Sequence, residues 1–432
     1  MSSIAMQILS VCLSLAANLG CMQKVIALIL ALGCSVFVWA GQTADSTKQA
    51  SLTLMFIGDV MGHGPQIRSA FNEKTNSYDY DDVFSRVSPL LEQADFAIAN
   101  LEVTLAGAPF SGYPQFSSPD ELVDGLTNAG VNVLVTANNH TVDRRKQGIL
   151  RTIDVLNKRA IPFAGAYKDS LHRDSTYPLI LEQNGIRLAL LNYTYGTNGI
   201  PVPKPTVVNL IDTAQIRADY NKALTLNVDE VIAFMHWGLE YQRQPNVEQI
   251  WLTHFMHNLG IRIVIGSHPH VLQRMEASFD TDTTKGLVAV YSLGNFVSNQ
   301  RPQYRDGGAI AAVHIEKING VTHIKDAGYA LVWVQTPTVD KKKRYRVLPV
   351  AKYELLDGYF NDDDQQKFNL FAEDSRALFD AENYNFYEIG YRDNHWVLPW
   401  ATDKRRAIKP LKRIEPWQKS IFYPPFVSLP KR

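Results

Sequence analysis

Cysteine is scarce in this chain, and its placement matters. The three thiols are Cys12, Cys21 and Cys34, all ahead of Ala40. A chain processed after Ala40 carries none, which excludes structural disulfides, thiolate-bound zinc and a cysteine nucleophile from the remainder. An excess of either charge is lacking too, since 43 Lys and Arg face 43 Asp and Glu. That balance leaves no basic footprint, and no nucleic-acid partner is expected. There is no Gly-x-Ser-x-Gly elbow, no P-loop and no dinucleotide-binding glycine signature. Internal repeats and low-complexity tracts are also missing.

What is present suffices for a large fold. The chain has 432 residues, 46% of them apolar, enough for one large domain and a smaller appendage. Lys24 precedes an apolar run from Val25 to Ala40, and a polar stretch follows from Gly41 to Gln49. Val38-Trp39-Ala40 suits a signal peptidase. Residues 1–40 are expected to be a signal peptide or an uncleaved N-terminal anchor. Met22 would serve as an alternative start, making 1–21 an upstream extension. Residues 41–50 read as a linker. Either way the bulk of the chain is expected outside the cytoplasm, periplasmic or in the cell envelope, touching the membrane only through that first segment.

Beyond the linker, short apolar runs alternate with helical patterns. Strands are expected at Leu52–Ile57, Phe96–Ala99, Val131–Thr136, Leu188–Asn192, Val231–Met235 and Ile261–Ile265. Helices are expected at Asp82–Glu92, Pro119–Ala129, Asp143–Arg159, Thr213–Leu224 and Val247–Leu259, with Gly130 and Gly260 placed as C-terminal caps. This alternation predicts an α/β fold. From Gly286 the pattern changes to strands at Leu287–Ser292, Ala309–Ile315, Val321–Ile324 and Ala330–Gln335, suggesting a second, more antiparallel sheet. Lys341-Lys342-Lys343 reads as a solvated turn. Residues 51–335 are taken as the main domain and 336–432 as an extension wrapping the core.

The polar residues fall at strand ends. Gly58-Asp59, Asn100-Leu101-Glu102, Ala137-Asn138-Asn139-His140, His236-Trp237-Gly238 and Gly266-Ser267-His268-Pro269-His270 each follow an expected strand. In α/β sheets ligands gather beyond the carboxyl ends of the strands. Five such ends deliver Asp, Glu, Asn and His donors to one edge. Each alone is weak, since a Gly-Asp after a strand is usually a turn. The pair His268/His270 around a rigid Pro269 is stronger. The donors are oxygen and imidazole, which suit Zn, Mn, Fe or Mg.

These segments, with Tyr291-Ser292-Leu293-Gly294-Asn295-Phe296, resemble in order and spacing the CapA family of capsule and poly-γ-glutamate biosynthesis. The resemblance spans roughly residues 52–300. That family in turn resembles calcineurin-type metallophosphoesterases, which implies a β-sandwich flanked by helices, in αββα layers. It also implies roles. Asp59 would be the first metal ligand and Glu102 the bridging one. Asn139, His236, His268 and His270 would complete a set for one or two divalent cations. His140 would be the catalytic acid. Trp237, Glu240 and Asn295 would line the cleft. One departure stands out: Met61 occupies the position of a ligand histidine, and His63 is the nearest substitute. Arg144-Arg145 departs as well, and reads as helix surface or as a grip on an anionic substrate.

Three functions compete. The first is a metal-dependent hydrolase cleaving a phosphoester or amide, acting on an anionic polymer or phosphoester alongside other capsule-assembly proteins. The second is a non-catalytic scaffold that binds or anchors an acidic polymer. The third is a general periplasmic phosphatase.

Overall fold

The computed structural model describes residues 49–279 and 286–401. The expected signal peptide or anchor, nearly all of the linker and the last 31 residues lie outside the described residues. Among those described, no helix is long and apolar enough to cross a membrane.

Two sheets face each other. The first is built on β1 (Gln49–Val60), followed in parallel by β2 (Phe96–Leu101), β3 (Val133–Val135) and β4 (Phe163–Ala164). The second runs β9-β10-β8-β7-β6-β5. Its members are β5 (Leu179–Gln183), β6 (Ile186–Thr194), β7 (Glu230–His236), β8 (Ile263–Ser267), β9 (Met275–Ser278) and β10 (Leu287–Val290). β6, β7, β8 and β10 are mutually parallel.

Period-two alternation explains the layers. Leu52, Leu54 and Phe56 of β1 point between the sheets, where they join Leu188, Leu190, Ile232, Phe234, Ile263 and Ile265. Met55 and Ile57 point the other way, onto α1 (Glu121–Asn128) and α2 (Arg145–Lys158) through Leu122, Leu126 and Leu156. Ala189, Leu191, Ala233, Met235 and Val264 cover the opposite outer face beneath α3 (Thr213–Leu224) and α4 (Val247–Leu259). The result is the expected αββα stack.

Several expectations need correction. The segment Asp82–Glu92 is not one helix but two short turns, Asp81–Phe84 and Ser88–Leu91. Pro89 has no N–H to give and its ring crowds the preceding turn, so the pattern breaks before it. The antiparallel strands after Gly286 form no separate sheet. β10 joins the second sheet parallel to β8. β11 (Asn295–Val297) lies beside the end of β1, and the hairpin β12 (Gly307–Ile318) and β13 (Val321–Gln335) extends the first sheet along β1's free edge. Ala309, Ala311, Val313 and Ile315 face the inter-sheet core while Ile310 and Ala312 face outward, so both faces of that hairpin are covered.

Val321–Ile324 and Ala330–Gln335 are a single strand. The polar stretch between them absorbs a bulge opposite His314/Ile315 instead of turning. The sheet also runs past residue 335, because β14 (Arg346–Pro349) pairs with β13. α5 (Asp362–Glu382) then sends Phe368, Phe371 and Phe379 into the inter-sheet core.

Candidate metal centre

The parallel strands of both sheets end on the same edge, and the polar strand ends meet there. Their convergence rests on close backbone passage. A Cβ on Gly58 would stand 2.2 Å from the Gly294 carbonyl oxygen, and one on Gly266 would stand 2.1 Å from that of Tyr291. Only glycine lets β1 and β8 run this close to the turn after β10. Just beyond, His268 (φ 100°) and His270 (φ 58°) both hold left-handed backbone, which side-chain-bearing residues rarely adopt. Strain of this kind is retained where the surroundings impose it, and it aims both imidazoles inward.

Asp59, Glu102 and His236 are fully buried, and Asn139, His268 and His270 nearly so. Asp59 receives hydrogen bonds from Asn100 Nδ2 (2.9 Å) and from His270 Nδ1 (3.0 Å). Asn139 Oδ1 lies 3.0 Å from His236 Nε2, while His236 Nδ1 faces Ser267 Oγ at 3.1 Å. Glu102 Oε1 sits 3.6 Å from His236 Nε2 and 3.8 Å from His270 Nε2, too far for hydrogen bonds. Among the described residues two groups satisfy the geometry of a cation site: Asp59, Glu102 and His270, and Glu102, His236 and His268. Glu102 belongs to both.

The 3.0 Å pairs would also suit plain hydrogen bonds, so they do not by themselves argue for metal. Two other atoms do. Glu102 Oε1 and His268 Nδ1 are buried with no hydrogen-bond partner, and such orphans cost about 1–3 kcal/mol each, more for a charged group. A buried carboxylate oxygen and a buried imidazole nitrogen left without partners, on residues that share one ligand group, fit a divalent cation, and the donor set contains no thiolate.

The electrostatics agree. Burial, reinforced by the charge of Asp59, pushes Glu102 well above the usual carboxylate range. Burial works to raise Asp59 as well, but the hydrogen bond and charge of His270 outweigh it and hold Asp59 below its usual value. Burial, helped by neighbouring imidazoles, drives His236 well down and His268 down to about 3.

A pH dependence follows. In the unfolded chain these two histidines take up protons near pH 6.5, whereas in the fold they stay neutral to far lower pH. Their contribution is therefore present above pH 6.5 and is lost as pH falls from there toward 3. Each histidine steepens the loss by up to about 1.4 kcal/mol per pH unit. Glu102, shifted upward, acts in the opposite sense. The expected result is a denaturant midpoint, measured in chelator, that falls from pH 7 to pH 5. A flat profile would contradict neutral burial of these rings.

His140 stands beside this cluster with its Nδ1 2.7 Å from Asp143 Oδ2. The Phe116 backbone N–H donates to the same carboxylate oxygen (2.8 Å), and the Phe116 ring packs edge-on against His140 at 4.6 Å. In the sequence Asp143 marks only the start of an expected helix; its spacing, three residues after His140, was the available signal. Other residues had no role assigned to them from the sequence. Asn100 bridges Asp59 and His236, Ser267 faces His236, and Tyr195 covers His268 at 4.6 Å. Tyr195 follows β6 with no polar motif to mark it.

Some expected residues lie elsewhere. Trp237 does not line the cleft: it is buried among Tyr193, Met235 and Tyr291, and its indole N–H donates to the Tyr291 carbonyl (3.0 Å). Alternation along β7 turns it to the face opposite His236. Asn295 is fully buried and donates to the Arg305 carbonyl (2.8 Å) and, more weakly, to that of His270 (3.4 Å), so it braces the loops. Glu240 is exposed at the rim, and its charge helps raise Glu102. Met61 is buried in the outer core. His63 stands apart from both ligand groups, edge-on to Phe116 at 5.3 Å, with Nδ1 3.1 Å from Gln66 Oε1. Burial takes its pKa down to about 4.

Fold and site together define a class: a four-layer α/β protein with a buried carboxylate–imidazole centre of divalent-metal type at the shared edge of two sheets. The profile of the bacterial capsule synthesis protein family PGA_cap matches residues 53–300, and the chain belongs to that family. It is similar to the capsule biosynthesis protein CapA of Bacillus anthracis, 29% identical over 317 residues, covering 70% of this chain and 74% of that protein. It is also similar to the PGA biosynthesis protein CapA of Bacillus subtilis strain 168, 28% identical over 298 residues, covering 65% and 73%. Among solved structures, the calcineurin-like phosphoesterase YfkN from Bacillus subtilis aligns with a TM-score of 0.40 at 13% identity, covering 76% of this chain and 98% of that one.

Proposed function

We propose that this chain is an exported cell-envelope hydrolase of capsule assembly, cleaving a phosphoester or amide bond in an anionic substrate, an acidic polymer such as poly-γ-glutamate foremost. The observation that carries this is the partnerless Glu102 Oε1 shared by two ligand groups, with the His140–Asp143 pair beside it. Asp59, Glu102 and His270 would hold one cation, and Glu102, Asn139, His236 and His268 a second. When bound, such cations polarise a phosphoryl or carbonyl oxygen and acidify a water. The chain's own residues do the rest. Asp143 fixes the His140 ring through Nδ1, which leaves Nε2 to deliver a proton to a leaving group. Tyr195 shields the imidazoles from bulk water, and Tyr241, stacked beneath Arg305 at 3.7 Å, offers an aromatic and cationic rim to an anionic chain. Docking with other capsule-assembly proteins belongs to the same reading.

A second reading has one observation behind it. Met61, at the position of a ligand histidine, is packed in the core and offers no donor to a cation. A weakly loaded site would suit a polymer-binding scaffold. The test is turnover of phosphoesters and γ-glutamyl amides by the Mn- or Zn-loaded protein, beside a His268→Ala/His270→Ala variant. Turnover abolished in the variant supports the hydrolase. A loaded parent that turns over neither substrate class yet binds polymer leaves the scaffold.

A further inference from the structure

We propose a second anion-binding subsite, formed by Arg301, Lys343 and Arg68 around Asn299 and Tyr345, which takes another carboxylate or phosphate of the ligand held at the metal centre. This rests on the anionic-polymer reading above. A line of contacts leads there from the centre. His140 meets Phe116, Phe116 meets His63, and His63 Nδ1 accepts from the Asn299 backbone N–H at 3.3 Å. The Asn299 side-chain oxygen accepts from Lys343 Nζ (3.1 Å) and from the Tyr345 hydroxyl (2.5 Å).

The cations here are under-neutralised. Arg301 is mostly buried. Its Nη2 donates to the Val334 carbonyl (2.7 Å), but its Nη1 is buried without a partner. The closest carboxylate oxygen, Asp306 Oδ2, is 3.9 Å away and already accepts from the Trp333 indole at 2.8 Å. Asp364, the other acid facing Arg301, accepts from Gln335. Lys343 and Arg68 pair with no acidic group among the described residues. The Arg68 guanidinium folds back beside Gly64, next to His63. Burial and the charge of Arg301 lower Lys343, as two cations sharing a site without a counter-ion require. The neighbouring cations are occupied differently: Lys342 donates to the Phe71 carbonyl and Arg344 to that of Ser69 (2.7 Å). Like charges gathered around neutral acceptors at a partly buried spot favour an incoming anion.

Lys343 and Arg68 are exposed, so their replacement spares the core. The probes are γ-glutamate dimer and hexamer, titrated calorimetrically into the full chain. The parent is expected to bind hexamer about tenfold more tightly than dimer. Lys343→Ala/Arg68→Ala should remove most of that ratio while leaving dimer affinity and thermal midpoint unchanged, and Lys343→Arg should preserve it. An unchanged ratio in the double variant, or no ratio in the parent, overturns the subsite. The ratio is measured in His268→Ala/His270→Ala as well. If the parent hydrolyses nothing but the ratio and its loss persist, the hydrolase reading fails and the subsite stands. If hydrolysis is found but the ratio ignores Lys343 and Arg68, the reverse holds.

Discussion

Glu102→Gln is expected to empty both halves of the metal centre at once. A glutamine keeps the shape of the side chain but replaces one anionic oxygen with an amide that cannot serve two cations. Because Glu102 is common to both ligand groups, bound Mn or Zn, measured by elemental analysis, should fall at least about tenfold, a loss of about 1.4 kcal/mol or more in affinity. The same variant should leave the chelated protein as stable as the parent or more so. Burial and Asp59 both disfavour a charge on Glu102, and the amide removes that conflict. Loss of metal without loss of stability separates a ligand from a packing residue. Retention of metal at parental stoichiometry would show that Glu102 is not shared.

His140→Ala is expected to do the opposite: metal content unchanged, turnover down about 10²–10⁴-fold, the usual contribution of a positioned general acid. Asp143→Asn should give a smaller loss, since the amide can still contact Nδ1 but favours the wrong tautomer. The Phe116 backbone N–H also donates to that carboxylate oxygen, so the Asn variant must be checked for an unchanged thermal midpoint. Metal lost from His140→Ala in proportion to activity would make His140 a ligand and remove it from proton transfer.

Much of this was legible because strand ends advertise themselves. Asp59, Glu102, Asn139, His236, His268 and His270 each interrupt or follow an apolar run, and a parallel α/β sheet has one edge to which such interruptions can go. The resemblance misplaced Trp237, and period-two reading would have corrected it. It sits next to His236, and a strand sends neighbours to opposite faces, so one of the two had to leave the site. Tyr195 was silent because it lies on a loop whose only signal is its proximity in space. The hairpin Gly307–Gln335 was misplaced for a related reason. Its apolar pattern shows that both faces are covered but not which free edge it joins. Helix Asp362–Glu382, with three aspartates in its first turn and phenylalanines spaced along it, carried a readable pattern that aromatic and charged composition obscured.

The two sheets contribute different ligands: Asp59 and Glu102 come from one, and His236, His268 and His270 from the other. Asp59 and His270 are 211 residues apart along the chain. A cation held between them would fasten the halves of the sandwich as a cross-link does, closing a very long loop, which is the kind of closure that restricts an unfolded chain most. Beyond Ala40 this chain has no cysteine with which to make such a tie covalently. Its rivet would be ionic and reversible, so the grip between the sheets would rise and fall with the supply of metal around the protein.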